Sequence, residues 1–339
     1  DHAAVRRPVR RVPASLDDLS VQTVASRALD RCAADGSAWT RHTVQEHATR
    51  IMTEYSVLAA PGEIREFVSI ATALAMEDCF SILPHGAPTP EHVAHLTSLR
   101  VVQAETELCD LLAARVPKLE PRHPDVRDAA RARGLDAGQE RAAAAVASSD
   151  PLVIVEGAAG SGKTTMLATA ITAAEQRGGG ARVVAPTKKA ADVAHQALGD
   201  AADSVAALVH PHGYRWNTEG VWTRLTAADT DPETGRTYTG PPEAARLRQD
   251  ERIVVDEAGL LDQDSALALF TVAAETGATI ALVGDRAQLP AVGRGGVLDM
   301  AAQIRGRTYD MAELHRFTDP DYAALTLTMR DREHPGDVF

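Results

Sequence analysis

Three observations predict an α/β fold with a mostly parallel sheet covered by helices on both faces. Short β-branched runs at 152–155, 182–185, 252–255 and 279–283 alternate with alanine-rich helical stretches such as 166–174 and 189–198. The octapeptide Gly157-Ala158-Ala159-Gly160-Ser161-Gly162-Lys163-Thr164 fits G-x-x-x-x-G-K-[ST] and lies between the first of those runs and a helical pattern, the context of a phosphate-binding loop. Gly157, Pro186, Asp256 and Gly284 each follow a run, at the carboxyl edge where ligands sit in such sheets.

The elements follow in chain order. Residues 1–14 carry Arg6, Arg7, Arg10 and Arg11 among prolines and read as a basic tail or linker. Helical periods then start at Leu16, Leu19 and Val24, recur over 44–55 and 64–74, and end in a long helix over 101–112. Prolines 61, 84, 88, 90, 117, 121 and 124 punctuate this stretch, and 116–125 reads as an interdomain linker. The expected organisation is a helical N-terminal domain over 15–135 and the α/β domain over 136–339. One insertion, at about 211–250, breaks the alternation. There Val221-Trp222-Thr223-Arg224-Leu225-Thr226 and Arg236-Thr237-Tyr238-Thr239 flank the turn Asp231-Pro232-Glu233-Thr234-Gly235 and predict an inserted β-hairpin.

Composition narrows the class. With 339 residues, 45% apolar and 24% charged, the chain suits a globular protein of two or three units. No run approaches the roughly 18 to 20 apolar residues of a membrane span, and no signal peptide is evident, so a cytoplasmic setting is expected. Cys32, Cys79 and Cys109 are far apart and odd in number, which suits reduced, buried thiols. A net charge of -12 opposes indiscriminate nucleic-acid binding, yet three of the four lysines (Lys163, Lys188 and Lys189) fall among the motifs.

The chemistry of the loop is specific. Glycines let backbone N–H groups turn inward on phosphates, the helix starting near Lys163 adds its positive dipole end, and Lys163 supplies a point charge. Thr164 and Asp256 are the candidate Mg2+ ligands, Thr165 completes the nucleotide-contacting run, and with Asp256-Glu257-Ala258-Gly259 the set reads as an ATP site. Trp222 and Tyr238 on the hairpin are candidates to stack on bases, since stacking on aromatic rings ignores sequence.

Five segments now support a comparison. Gly157 to Thr164, Ala185-Pro186-Thr187-Lys188-Lys189-Ala190-Ala191, Val255-Asp256-Glu257-Ala258-Gly259, Gly284-Asp285-Arg286-Ala287-Gln288-Leu289-Pro290-Ala291-Val292 and Glu313-Leu314-His315-Arg316-Phe317 resemble, in order, motifs I, Ia, II, III and IV of superfamily 1 DNA helicases. The subtype resembles the RecD-like superfamily 1B, and within it the helicase part of MobF-class conjugative relaxases of the TraA/TraI kind. The resemblance covers 136–339; residues 15–135 resemble the helical N-terminal region of the same part, with Leu96-Thr97-Ser98 followed by Glu105. It implies a RecA-like P-loop NTPase sheet, ATP and Mg2+ as cofactors, and ATP-driven 5'-to-3' movement on single-stranded DNA.

The resemblance also implies roles. Gln139, preceded by Leu135, reads the adenine edge, and Glu257 orients or deprotonates the attacking water. Gln288 senses the γ-phosphate, Arg316 stabilises charge on the transferring phosphoryl group, and Thr187 and Lys188 contact strand phosphates. Where the family carries Thr/Ser-Leu-His in motif Ib, this chain has Ser204-Val205-Ala206; His210 and His212 lie nearby without metal-site spacing. Motifs V and VI and the relaxase part are not in this sequence, so the resemblance makes the chain a first motor half whose partners are a second RecA-like domain and a relaxase domain of one polypeptide. A RecD-like repair helicase and a nucleotide- and DNA-binding module without turnover remain the alternatives.

Overall fold

The structure, a computed structural model, describes residues 14–88, 92–199, 202–288, 291 and 293–311. The expected basic tail lies outside them apart from Ala14. The chain divides between Gln103 and Ala104, with Trp216–Val221 returning to the first unit, whereas the sequence reading puts the boundary at 135.

Small residues at helical spacing build the first unit. Its helices are α1 (Val21–Asp35), α2 (Arg41–Glu54) and α3 (Pro61–Glu77). Ser20 and Thr40 cap the first two by accepting from Thr23 N and Thr43 N, and Pro61 opens the third. Val24, Ala28 and Cys32 recur every fourth residue on α1 and meet Val44, Ala48 and Ile51 of α2 and Val68, Ala71 and Ala75 of α3 in one buried cluster. A short antiparallel pair, β1 (Cys79–Ser81) and β2 (Leu96–Ser98), precedes α4 (Leu99–Ala113). The division falls inside α4 because Val101 packs into this cluster while Leu108 and Leu112 belong to the core of the second unit.

Residues 116–125 form no helix or strand. The second unit continues with α5 (Arg127–Ala132) and α6 (Ala137–Val146), then β3 (Leu152–Gly157), α7 (Lys163–Gln176), β4 (Ala181–Ala185), α8 (Lys188–Leu198), β5 (Ala202–Ser204) and α9 (Val205–Val209). After a hairpin of β6 (Tyr214–Trp216) and β7 (Trp222–Arg224) come β8 (Arg252–Val255), α10 (Gln263–Thr276), β9 (Thr279–Gly284), α11 (Val297–Arg305) and β10 (Tyr309–Met311). Six strands pair in the order β10-β3-β9-β8-β4-β5, and every pairing is parallel.

Period-two side-chain alternation explains why these strands read as unbroken apolar runs. Leu152, Ile154, Ile253, Val255, Ile280 and Leu282 point into one core with Leu269 and Phe270 of α10. Their neighbours Val153, Val155, Val254, Ala281 and Val283 point into the other, against Met166, Leu167 and Ala170 of α7. The α/β fold with helices on both faces is therefore as the sequence predicts. Strands β5 and β10, three residues each, carry too short a pattern to be seen in advance.

The hairpin forms with different partners from those expected. Trp222–Arg224 pairs with Tyr214–Trp216 across a turn at 217–220, not with 236–239. Asn217 decides this: its Oδ1 accepts from Glu219 N at 2.9 Å and Val221 N at 3.0 Å, and Gly220 supplies the left-handed residue (φ 74°). The 231–235 turn closes a second return, in which Tyr238 N donates to Asp229 O at 2.8 Å and Thr230 bridges Thr237.

Phe270 is fully buried, and the Arg115 guanidinium lies 5.7 Å from its ring centre. Burial lowers the Arg115 pKa to about 10, and its Nη1 donates to Ala278 O at 2.9 Å. Phe270→Ala removes both the core filling and this cover, so a loss of about 3–5 kcal/mol is expected in urea unfolding followed by circular dichroism.

Candidate active site

Strand register decides which segments meet. Glu156 pairs with Gly284, Val255 with Leu282 and Val184 with Val255, so β3, β9, β8 and β4 finish level on one edge. The loops carrying Gly157, Asp256, Asp285 and Thr187 all leave from there.

The loop after β3 folds back on itself. A Cβ on Gly157 would stand 2.6 Å from Ser161 Oγ, so only glycine fits. Gly160 and Gly162 hold positive φ (88° and 78°), and Gly162 starts α7 with no side-chain cap, leaving the first N–H groups of that helix for a ligand. Lys163 Nζ donates to Gly157 O at 3.0 Å and lies 4.0 Å from Glu257 Oε2. Ala158 is buried, whereas Thr164 and Thr165 are exposed. Ser161 Oγ is buried and has no hydrogen-bond partner.

Gln139, for which the resemblance implies an adenine contact, is bonded to the phosphate loop itself. It is buried at the start of α6, its Oε1 accepts from Asp136 N at 2.9 Å, and its Nε2 donates to Ser161 O at 2.8 Å. Each end of the amide is engaged with protein, so Gln139 braces the phosphate loop. Asp136 at the N-cap position is the signal for this: its Oδ1 accepts from Gln139 N at 2.8 Å, completing a capping box.

The turn after β8 carries the acidic pair. Asp256 N donates to Val184 O at 2.8 Å, and Asp256 Oδ1 accepts from Glu257 N at 3.0 Å. Burial, with the neighbouring charge of Glu257, pushes the Asp256 carboxyl above its ordinary range. Glu257 adopts φ 54° and ψ 41°, a left-handed conformation costing a side-chain-bearing residue of order 1–3 kcal/mol. In this conformation its carboxylate lies 4.0 Å from Lys163 Nζ.

Two glycines press the acidic turn against the turn after β9. A Cβ on Gly259 would meet Asp285 O at 2.8 Å, and one on Gly284 would meet Gly259 N at 2.8 Å and Ala258 N at 3.1 Å. Asp285 is buried and its Oδ1 accepts from Ala287 N at 3.0 Å, while Gln288 is exposed with Nε2 at 3.5 Å from Asp285 Oδ2. Arg286, to which the sequence reading assigns no role, pairs with Glu156 at 2.6 Å and ties this turn to the strand leading into the phosphate loop. Its signal was only its place inside the motif. Leu289, Pro290, Val292 and Arg316 lie outside the described residues.

The proposed strand-contacting residues divide. Thr187 and Lys188 are exposed at the end of β4, where Thr187 caps α8 by accepting from Ala190 N at 3.2 Å. Trp222 instead packs against the sheet core and stands 6.3 Å from the Tyr214 ring, and Tyr238 donates through its hydroxyl to Pro211 O at 3.0 Å. Both rings face protein, and the more exposed hairpin aromatic is Trp216, at 41%. His210 pairs with Glu233 and His212 contacts Ala245 O; no group of three or more metal-ligating side chains occurs among the described residues.

A family model described as AAA domain matches residues 134–338. The chain belongs to the AAA-domain family. Its second unit is accordingly a P-loop ATPase domain. Three solved structures are similar in part. The Pif1 helicase of Candida albicans is 19% identical, with 60% of this chain and 46% of that one covered and a TM-score of 0.40. An arterivirus nonstructural protein 10 helicase in complex with DNA is 19% identical over 57% and 42%, with a TM-score of 0.32. The PRRSV helicase is 16% identical over 66% and 38%, with a TM-score of 0.25. The chain thus spans less than half the length of each. No curated protein matches it. No helix among the described residues is long and apolar enough to cross a membrane.

Because the folded state favours protonated Asp256, its ionised form lowers stability at neutral pH, and the penalty vanishes below its ordinary value of 3.8. Asp256→Asn is therefore expected to raise the nucleotide-free melting temperature at pH 7, with the gain shrinking to nothing as the pH falls below that value. Differential scanning calorimetry across the range checks both the sign and the window.

Proposed function

We propose that the chain is the first motor domain of a superfamily 1 DNA helicase, coupling ATP hydrolysis to 5'-to-3' movement along single-stranded DNA. In this reading it belongs to the helicase part of a cytoplasmic conjugative relaxase and works with a second RecA-like domain. The observation that carries the proposal is the backbone contact between the Asp256–Gly259 turn and the Gly284–Gln288 turn. A change at the γ-phosphate that moves Glu257 must move Asp285 and Gln288 with it, as a motor requires and a passive nucleotide binder does not.

The residues present fit ATP and a divalent cation. The loop offers uncapped helix N–H groups and the unpartnered Ser161 Oγ, and the Asp256 carboxylate, burdened by burial and by Glu257, gains from a cation. Lys163 neutralises the outer phosphates, Thr164 and Asp256 hold Mg2+, and the metal when bound offsets charge on the phosphate oxygens. Glu257 orients or deprotonates water, and Gln288 reads the γ-phosphate. Arg316 completes the charge stabilisation, and Thr187 and Lys188 supply strand contacts.

ATPase rates with and without single-stranded DNA separate a motor from a binder: a motor is stimulated. Lys163→Ala is expected to weaken ATP binding, whereas Glu257→Gln keeps binding and loses turnover, with fluorescent-nucleotide titration and phosphate release as readouts. Equal loss of binding in both variants would contradict these roles.

Gly259→Ala forces the two turns apart, so it is expected to reduce DNA stimulation more than nucleotide affinity. Affinity falling in parallel with stimulation would show that the contact only supports the fold.

A further inference from the structure

The helical unit holds a second constellation that the nucleotide chemistry does not use. Arg27 and Arg31 stand one turn apart on α1 and project to the same side. Both donate to a single carboxylate, Glu219, with Arg27 Nη2 on one oxygen and Arg31 Nε on the other. The Glu219 side chain is only 6% exposed. Burial raises its pKa, but the hydrogen bonds from Arg31 and Arg27 outweigh this and hold it at about 2. Around the clasp opens a cavity of about 1070 Å3, lined also by Arg50, Tyr55, Asp35 and Glu54.

Two features separate the arginine fork from its present occupant. Each arginine is oriented by a second group: Glu54 grips Arg31 through two hydrogen bonds of 3.0 and 2.6 Å, and the Tyr55 hydroxyl accepts from Arg27 at 2.5 Å. The turn carrying Glu219 satisfies its own backbone through Asn217, whose Oδ1 takes Glu219 N and Val221 N and whose O takes Gly220 N at 3.2 Å. The carboxylate can therefore leave without breaking a backbone hydrogen bond, and the fork keeps its shape. Without Glu219, the cavity's three arginines, Arg27, Arg31 and Arg50, face the two carboxylates of Asp35 and Glu54, a formal excess of one positive charge.

We propose that the Arg27–Arg31 fork is a phosphodiester site for single-stranded nucleic acid, masked in this state by the Glu219 carboxylate. A carboxylate and the two non-bridging oxygens of a phosphodiester engage guanidinium donors in the same way. The cavity, at about 1070 Å3, leaves space beyond a single phosphate group for the sugars and bases that flank it in a strand. Tyr55, 37% exposed with the Arg27 guanidinium 5.3 Å from its ring centre, offers a face to an adjacent base. The proposal rests on the strand-binding part of the proposed function.

The test is fluorescence anisotropy of a labelled oligothymidylate titrated with the whole chain at low salt without nucleotide. Glu219→Gln unmasks the fork and is expected to tighten binding about threefold to tenfold, with a salt slope steeper by about 0.7, one additional phosphate contact. Arg31→Ala added to Glu219→Gln should return affinity to the starting value. An unchanged affinity in Glu219→Gln, or a gain that survives Arg31→Ala, overturns the site. If Glu219→Gln does not fold, Glu219→Ala takes its place in the same titration, and an oligothymidylate affinity no tighter than that of the unaltered chain overturns it.

Inorganic phosphate is the control for small anions. If it raises the melting temperature of Glu219→Gln as much as the oligonucleotide does, the fork takes free phosphate and the strand assignment falls. No oligonucleotide binding in any variant overturns this site and the strand-binding reading together. Binding abolished by Thr187→Ala with Lys188→Ala but indifferent to the fork overturns this site alone.

Discussion

The active edge depends on two glycines that allow the turn after β8 and the turn after β9 to touch through their backbones. With Gly259 against Asp285 O and Gly284 against Gly259 N, there is no room for any side chain between the acidic turn and the turn bearing Gln288. Packed backbone has few alternative arrangements, and it is on this contact that the proposed coupling between the two turns rests. The left-handed Glu257 lies beside this contact, with its carboxylate 4.0 Å from Lys163.

That contact is held in place by the sheet behind it. The strands are buried on both faces, and their alternation divides the domain into two cores that share one backbone layer. A register slip of one residue would exchange the cores' side chains and move Gly157 away from Gly284, so packing and site geometry enforce each other. Gln139 and Arg286 add polar braces, the first fastening the phosphate loop to α6 and the second fastening the Gln288 turn to β3. Both braces set the positions of the segments that carry the Lys163–Glu257 pair.

The helical unit relies on different physics. Its core is built from small residues, and its polar groups converge on one nearly buried carboxylate instead of on a loop of backbone donors. A clasp made of charged side chains can exchange one anion for another of similar shape, whereas a backbone contact cannot be exchanged. The contrast sets the clasp apart from the contacts beneath the nucleotide site.

The parallel sheet, the phosphate loop and the acidic pair were legible in the sequence because each is encoded locally. Unbroken β-branched runs mark strands buried on both faces, and a loop that wraps phosphates needs glycines at set spacing whatever surrounds it. Other features depended on partners distant in the chain. Gln139 bonds Ser161, Arg286 bonds Glu156, and Glu219 sits between arginines nearly two hundred positions earlier, pairings that leave no period or motif. The hairpin shows the boundary between the two kinds of information. Its turn residues and β-prone runs were visible, but two turns competed for the strand at 222–224. Asn217 and the packing of Trp222 against the sheet core, available only once the domain has folded, selected Tyr214–Trp216 as its partner. The same packing half-buries Trp222, because burial is a property of the assembled fold and not of the residue.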